Sequence, residues 1–325
     1  MRVSIFSCYI VKETGFFCEF LLNILPGVVM PFKNQFFYVA GIAFLALAKT
    51  KSFLKGYSSP KPFDVSEIDR CVEYDIHVVN HWLKYLRKYT DATVDINGKN
   101  ILELGPGSDL GVGLYLLALG AAQYNALDVN YLIKQTPMSF YEKLFEKMES
   151  LGISRETIEK QKEELEKFNL NNPDRLNYVV RDDFDLLSAF GEASIDIVFS
   201  QAAFEHFDDV EETISKLSKV CKKGAILVAE VDLKTHSRWI RDKDPNNIYR
   251  YPQWLYNLFG FRGIPNRVRP FQYKNILEKH GWKNVQIFPL ETIDKEIAYC
   301  GLHRDFLDEI NQMEYLSIML CAKKA

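Results

Sequence analysis

The 325 residues, 47% apolar and 26% charged, suffice for one large α/β domain with appendages or two smaller ones, with a full core and no need of covalent staples. A net charge of -3 with a pI near 6.1 gives no global attraction to nucleic acid, so no DNA or RNA partner is indicated. Cys8, Cys18, Cys71, Cys221, Cys300 and Cys321 include no C-x-x-C pair, which excludes zinc-ribbon and dithiol redox signatures and reads as thiols in a reducing, cytoplasmic compartment.

In chain order, residues 1–58 form an apolar helical extension. From Phe20 to Ala48 nearly every residue is apolar, but Pro26, Gly27, Pro31 and Lys33 interrupt the run. Its longest uncharged piece, Asn34 to Ala48, falls short of the roughly 20 residues that span a bilayer, which argues against a clean transmembrane helix. Lys12, Glu13 and Glu19 stand where a secretory signal needs an apolar region. The remaining choices are a helix packed on the core and a helix lying in a membrane interface. Lys49, Lys51 and Lys55 would suit anionic headgroups, so residues 20–55 are expected to make peripheral membrane contact or else to end in a solvated basic turn.

Ser and Pro in Tyr57–Phe63 mark a linker. Beyond it, Ile68, Val72, Ile76, Val79, Trp82 and Leu86 recur at helical spacing and predict a helix over Val65–Tyr89, capped by Asp64 or Ser66. His77 and His81 stand four apart on it, but the intervening residues offer no catalytic glutamate, so no metal is expected. From Asn100 to Glu230, short apolar runs alternate with helical segments, the pattern of βαβ units and a parallel sheet. Strands are read at 100–104, 123–128, 177–181, 195–200 and 225–231, with two more at 285–288 and 315–322. Ser139–Phe168 reads as a solvated helical pair on the surface. A second insertion, about 232–270, is rich in aromatics and arginines and suits a binding wall or lid. Phe271–His280 reads as a helix ended by Gly281.

The chemistry concentrates at strand ends. In ILELGPGSDLGVG, Ile101 to Gly113, an apolar strand enters a glycine turn and then a helix; Gly105 and Gly107 let a ligand approach the backbone. A dinucleotide fingerprint wants a third glycine where this chain has Leu110, so the spacing argues against a nicotinamide cofactor. Glu103, two residues before the first glycine, faces a cationic ligand. Asp128, at the end of the next strand, can accept both ribose hydroxyls. Asp182 and Asp183 follow a third strand, where a carboxylate accepts from an adenine amino group or caps the turn. A fourth strand runs into the exposed turn QAAFEHF, and a Lys-Lys-Gly turn precedes the fifth.

ELGPG, the Asp128 strand end, the acidic turn, DIVFSQAAFEH and CKKGA, in that order, resemble successive motifs of the class I S-adenosylmethionine-dependent methyltransferases. The resemblance spans about Asn100–Val231 and extends to the carboxyl-terminal strand pair. It implies a Rossmann-like, doubly wound α/β fold over residues 59–325, with a mostly parallel seven-stranded sheet and a lid insertion. It also implies S-adenosyl-L-methionine as cofactor. Glu103, Gly105, Pro106, Gly107 and Ser108 would surround its methionine portion, Asp128 and Val129 its ribose and adenine edge, Asp182, Asp183 and Phe184 its adenine, and Ser200, Gln201 and Ala202 its inner side. Arg181 departs from the small residue of many members. The YSSPKPF-to-WLKYL stretch, YPQWLY and NRVRPFQY are similar to uncharacterised methyltransferases associated with surface-polysaccharide synthesis.

Methyl transfer from a sulfonium is an in-line displacement that rests on holding two reactants together, and no metal is assigned. If the acceptor is a hydroxyl, His206 is the first candidate base and Asp232 and His236 are the next. A small-molecule, sugar or lipid-linked glycan acceptor fits the aromatic insertion and the apolar amino terminus. The competing readings are a catalytically silent cofactor-binding module and a nicotinamide-dependent oxidoreductase.

Overall fold

The computed structural model describes residues 32–55 and 67–325. The Tyr57–Phe63 linker and the caps Asp64 and Ser66 lie outside the described residues. Seven strands form one sheet: β1 Asn100–Leu104, β2 Gln123–Asp128, β3 Leu176–Val180, β4 Ile195–Gln201, β5 Cys221–Asp232, β6 Trp282–Thr292 and β7 Tyr315–Lys324, in the order β3-β2-β1-β4-β5-β7-β6. The first five pair in parallel, and β7 runs antiparallel between β5 and β6. The chain winds outward from β1 to β3 and returns to β4 beside β1, so the switch point opens a crevice at the carboxyl ends of β1 and β4. This is the doubly wound, mostly parallel sheet expected.

Apolar residues on both faces explain the central strands: Ile101, Leu102 and Leu104 of β1 and Val198 and Phe199 of β4 are fully buried. One face is covered by α2 Ile68–Tyr89, whose Val72, Ile76, Val79, Trp82 and Leu86 form a buried stripe. Trp82 lies flat on Phe199, with ring centroids 4.9 Å apart and planes within 2°. A short helix, α3 Gly111–Ala118, follows β1. Helices α4 Met138–Ser150 and α5 Arg155–Asn169 form the expected pair, with Ser154 accepting from the Thr157 amide as N-cap. They are not a mere surface excursion, because Phe140, Leu144 and Met148 of α4 are fully buried in the same core.

The other face carries α6 Val210–Val220, capped by Asp209, and α7 Pro270–Lys279, which ends before Gly281 as expected. The predicted Lys-Lys-Gly turn is instead the start of β5: Ile195 pairs with Cys221 and Ile197 with Ile226, so the extra residues are absorbed as an irregularity with Gly224 at φ +84°.

Helix α1 Phe32–Lys55 runs past Lys49 and Lys51. Its Asn34–Leu54 stretch, 21 residues with a mean hydropathy of 1.4, is therefore long and apolar enough to cross a membrane by length and composition, which the uncharged run alone did not indicate. One side docks on the 232–270 insertion. Asn247 donates to the Phe37 carbonyl at 2.8 Å, and Tyr251 to the Tyr38 carbonyl at 3.1 Å. Gly41 is required there, since a Cβ would stand 2.0 Å from the Tyr251 hydroxyl. Phe36, Leu47, Phe53 and Leu54 face outward.

Candidate active site

A cavity of about 610 Å³ occupies the crevice above β1 and β4. Gly105, Pro106, Gly107 and Ser108 form its floor, with the two glycines at φ +73° and +85°. A Cβ on Gly105 would come within 2.8 Å of Ala203 Cβ, so the sharp turn and the close approach of the β4 loop both require glycine there. Leu110, where a dinucleotide site has glycine, is buried core at 1% exposure.

At one end the cavity is acidic. Glu103 is buried at the end of β1 and accepts from the Tyr124 hydroxyl at 2.6 Å; burial raises its carboxyl to about 8. Beside it stand Asp75 from α2 and Asp109, both raised by burial, with Asp75 pushed further by the neighbouring Asp109. Asp109 also accepts from the Gly111 amide at 2.9 Å, fixing the start of α3. Three acids crowd this end, and a cation placed there would favour their charged forms, which burial disfavours. Asp128 closes this wall from the end of β2, its Oδ1 accepting from the Asn130 amide at 2.9 Å; burial raises it, against the pull of nearby backbone amides. Asp75 and Tyr74 were not identified in the sequence, because a lone Asp within an apolar helical stripe carries no local signal.

Val129, Asp182, Asp183, Phe184, Gln201 and Ala202 also line the cavity. Arg181 grips Asp183 through two bonds of 2.8 and 2.7 Å and lowers it to about 2, leaving Asp182 as the uncommitted carboxylate of that turn. Ser200 does not face the cavity; it is fully buried and donates to the Leu104 carbonyl at 3.1 Å.

The opposite end holds His206, on the 3₁₀ turn Phe204–His206 after β4. Its Nδ1 lies 2.6 Å from the Gly263 carbonyl of the insertion, which leaves Nε2 with the lone pair, and burial lowers its pKa so that the ring is neutral at pH 7. The His236 ring stands edge-on at 4.8 Å behind it, with Nδ1 3.1 Å from the Lys234 carbonyl; burial and then His206 push it down to about 4. Asp232 is turned away, ion-paired with Arg241 and accepting from the Lys234 amide. Glu205, absent from the sequence reading, is 2% exposed. Its two carboxylate oxygens close no hydrogen bond among the described residues, although the amides of Glu205 and Asp232 lie nearby.

The binding-wall reading of the insertion is corrected for most of its arginines. Arg250 pairs with Asp244 at 2.7 Å, Arg267 donates to the Ile248 and Tyr251 carbonyls, and Arg269, fully buried, donates to the Asn311 carbonyl. With Tyr249, Tyr251 and Tyr256 they make a separate core, because a guanidinium satisfies several buried carbonyls at once. Arg262 and Gly263 do reach the cavity, and Arg262 donates to the Asp182 carbonyl.

A family model described as "Methyltransferase domain" matches residues 73–287. The chain belongs to this methyltransferase-domain family. It is an S-adenosylmethionine-dependent methyltransferase, and its cofactor fits the glycine floor, the acidic cation-binding end and Asp128. No curated protein matches the sequence. Among solved structures, the chain is similar to the CurJ carbon methyltransferase, with 14% identity, a TM-score of 0.46, and coverage of 96% of this chain and 71% of that one. It is also similar to an S-adenosylmethionine-dependent methyltransferase from Archaeoglobus fulgidus, with 17% identity, a TM-score of 0.42, and coverage of 76% and 94%. A putative O-methyltransferase from Nostoc punctiforme shows 13% identity, a TM-score of 0.44, and coverage of 87% and 69%.

Proposed function

We propose that this methyltransferase methylates a hydroxyl oxygen of a sugar or lipid-linked glycan acceptor that enters the cavity from the insertion side. The reading is carried by His206. A hydroxyl is a poor nucleophile until its proton leaves, and His206 presents a neutral imidazole to the cavity that also lodges the cofactor. S-adenosylmethionine supplies an electrophilic methyl group on a sulfonium. Glu103, Asp75 and Asp109 hold positive charge at their end of the cavity, and Asp128 fixes the ribose. Gly263 locks the His206 tautomer, so Nε2 is the atom that takes the acceptor proton. The insertion, through Arg262 and Gly263, covers the acceptor side and excludes water.

A lipid-linked acceptor is favoured by helix α1, which packs through Tyr38, Ile42 and Leu45 on the same insertion that supplies Arg262 and Gly263 and turns Phe36, Leu47, Phe53 and Leu54 outward. We place the enzyme in the cytoplasm with α1 in peripheral contact with a membrane. Lys51 is exposed and would meet headgroups, whereas Lys49 donates to the Leu258 carbonyl at 2.7 Å. The resemblance of YPQWLY and NRVRPFQY to polysaccharide-associated methyltransferases supports the glycan.

The test is methyl transfer from labelled cofactor to panels of free sugars, polyprenyl-linked oligosaccharides and small phenols, run with EDTA present. His206→Asn is expected to lower kcat on the best acceptor by about 10²–10⁴-fold while cofactor affinity stays unchanged. Full kcat in that variant, or methylation at carbon, refutes the hydroxyl reading; methylation of the phenols alone refutes the glycan.

A further inference from the structure

We propose that Glu205, His206 and His236 form a binding site for a divalent transition-metal ion of the zinc class. One ligand atom from each residue lies within 4.8 Å of the other two, and His236 Nε2 stands 4.0 Å from Glu205 Oε1. Two imidazoles and one carboxylate, with further positions left open, match the donor set of catalytic zinc sites. Nitrogen donors disfavour Mg²⁺ and Ca²⁺, which take oxygen ligands.

Two independent features point to a cation at this spot, and a third limits its ligands. The Glu205 carboxylate is 2% exposed, yet neither of its oxygens closes a hydrogen bond among the described residues. A buried carboxyl with only the Glu205 and Asp232 amides near it and no cationic partner among the described residues is an unfavourable arrangement that a bound cation relieves. Both histidines have Nδ1 against a backbone carbonyl, Gly263 at 2.6 Å for His206 and Lys234 at 3.1 Å for His236. This outer contact orients metal-binding histidines and leaves Nε2 as the donor nitrogen. The neighbouring carboxylate, Asp232, is already held by Arg241, so the site is limited to three protein ligands. Around zinc at about 2.1 Å, tetrahedral ligand atoms stand about 3.4 Å apart, so closure takes a shift of about 1 Å shared among three side chains.

His206 also lines the cavity, so the open position of the ion faces the acceptor end. A cation and a proton compete for the same His206 lone pair. In the metal-free protein His206 itself takes the acceptor proton. In the loaded protein coordination acidifies the acceptor hydroxyl: its O–H proton passes to solvent, the O–CH₃ bond forms and the S–CH₃ bond breaks, with no change of oxidation state. Metal binding itself stands whatever the acceptor is.

The test titrates the untagged full-length protein with Zn²⁺ calorimetrically and with Co²⁺ by its visible d–d absorption. S-adenosylhomocysteine binding serves as the report of an intact fold. One ion per chain is expected, with affinity at least tenfold weaker in Glu205→Gln and in His236→Asn, and S-adenosylhomocysteine binding retained in both. If Glu205→Gln loses S-adenosylhomocysteine binding as well, His236→Asn decides, because its side chain is 31% exposed and its replacement leaves the core intact. The proposal is overturned if the wild-type protein takes up neither ion stoichiometrically. It is equally overturned if uptake survives His236→Asn and disappears in the His77→Asn/His81→Asn double variant, which would place the ion on α2.

Discussion

Replacing Asp128 separates the cofactor site from the fold more cleanly than any other single change. The side chain is 6% exposed at the end of β2, and its Oδ1 accepts from the Asn130 amide. On the expected placement of the cofactor it would accept from both ribose hydroxyls. Hydrogen bonds to a charged group contribute about 1.5–3 kcal/mol each, and two that share one carboxylate add incompletely, so Asp128→Ala loses about 2–4 kcal/mol of cofactor binding. At 1.4 kcal/mol per decade, the Kd for S-adenosylhomocysteine rises about 30- to 700-fold. Asp128→Asn keeps an oxygen for the Asn130 amide and loses one acceptor, for a rise of about tenfold or more. The effect on folding has the opposite sign. Burial raises the Asp128 pKa above its unfolded value, so whatever stability the group contributes is present at low pH and lost as pH rises through the folded pKa. Above that folded pKa the ionised group weakens the cofactor-free protein, and there Asp128→Asn is expected to melt no lower than wild type. Isothermal titration and thermal melts on the same samples check both halves. A Kd within threefold of wild type for Asp128→Ala would refute the assignment.

Gly105→Ala forces a side chain into φ +73° and against Ala203 Cβ; about 1–2 kcal/mol of strain should lower Tm by a few degrees, and S-adenosylhomocysteine affinity should fall at least tenfold, both read by titration and melting. Trp82→Ala removes a fully buried ring stacked on Phe199 and is expected to destabilise by about 3–5 kcal/mol in urea unfolding. Because burial raises Glu103 from 4.5 to about 8, stability from that group is full below 4.5 and is lost as pH rises toward 8. Melting curves should therefore show Glu103→Gln gaining on wild type across that window; a constant offset would refute the buried-acid reading. The lowered pKa values of His206 and His236 act on the other side, where stability is lost as pH falls below 6.5, down to about 4 for His236, and His236→Asn should flatten that acid limb.

Much of the fold was legible because the parallel strands are buried on both faces and read as short apolar runs between helical segments. The strands at 100–104 and 123–128 match β1 and β2, and α2 follows its apolar stripe. The misread places share a cause: their structure is set by long-range partners. CKKGA looks like a turn locally, but Cys221 pairs with Ile195 and Ile226 with Ile197, so the residues between them are taken into β5 as an irregularity. The helical pair at 139–168 looks solvated from its charges, although Phe140, Leu144 and Met148 on one face are buried beside α2. The strand-end residues that line the cavity were legible because the topology dictates where strand ends gather. Ser200 shows the limit of that rule, since alternate residues of a strand point to opposite faces and its hydroxyl turns to the Leu104 carbonyl.

The insertion shows why composition alone misplaces function. Aromatics and arginines are what a binding wall needs, and they are equally what a small polar core needs when loops must be buried. A loop carries carbonyls that no sheet or helix satisfies, and guanidinium donors can satisfy several of them at once. Arg250, Arg267 and Arg269 are spent in that way, with rings of Tyr249 and Tyr256 against the latter two. Arg262 differs only in position: it sits where the insertion returns toward Asp182, so its charge reaches the cavity. The same distinction separates the acids. Asp232 and Asp244 are neutralised by Arg241 and Arg250, whereas Glu103, Asp75 and Glu205 are buried with no arginine or lysine paired to them among the described residues. Glu103 and Asp75 line one end of the cavity, whereas Glu205 lies outside its lining beside His206 at the other, so the acids without an arginine or lysine against them flank the site from two sides.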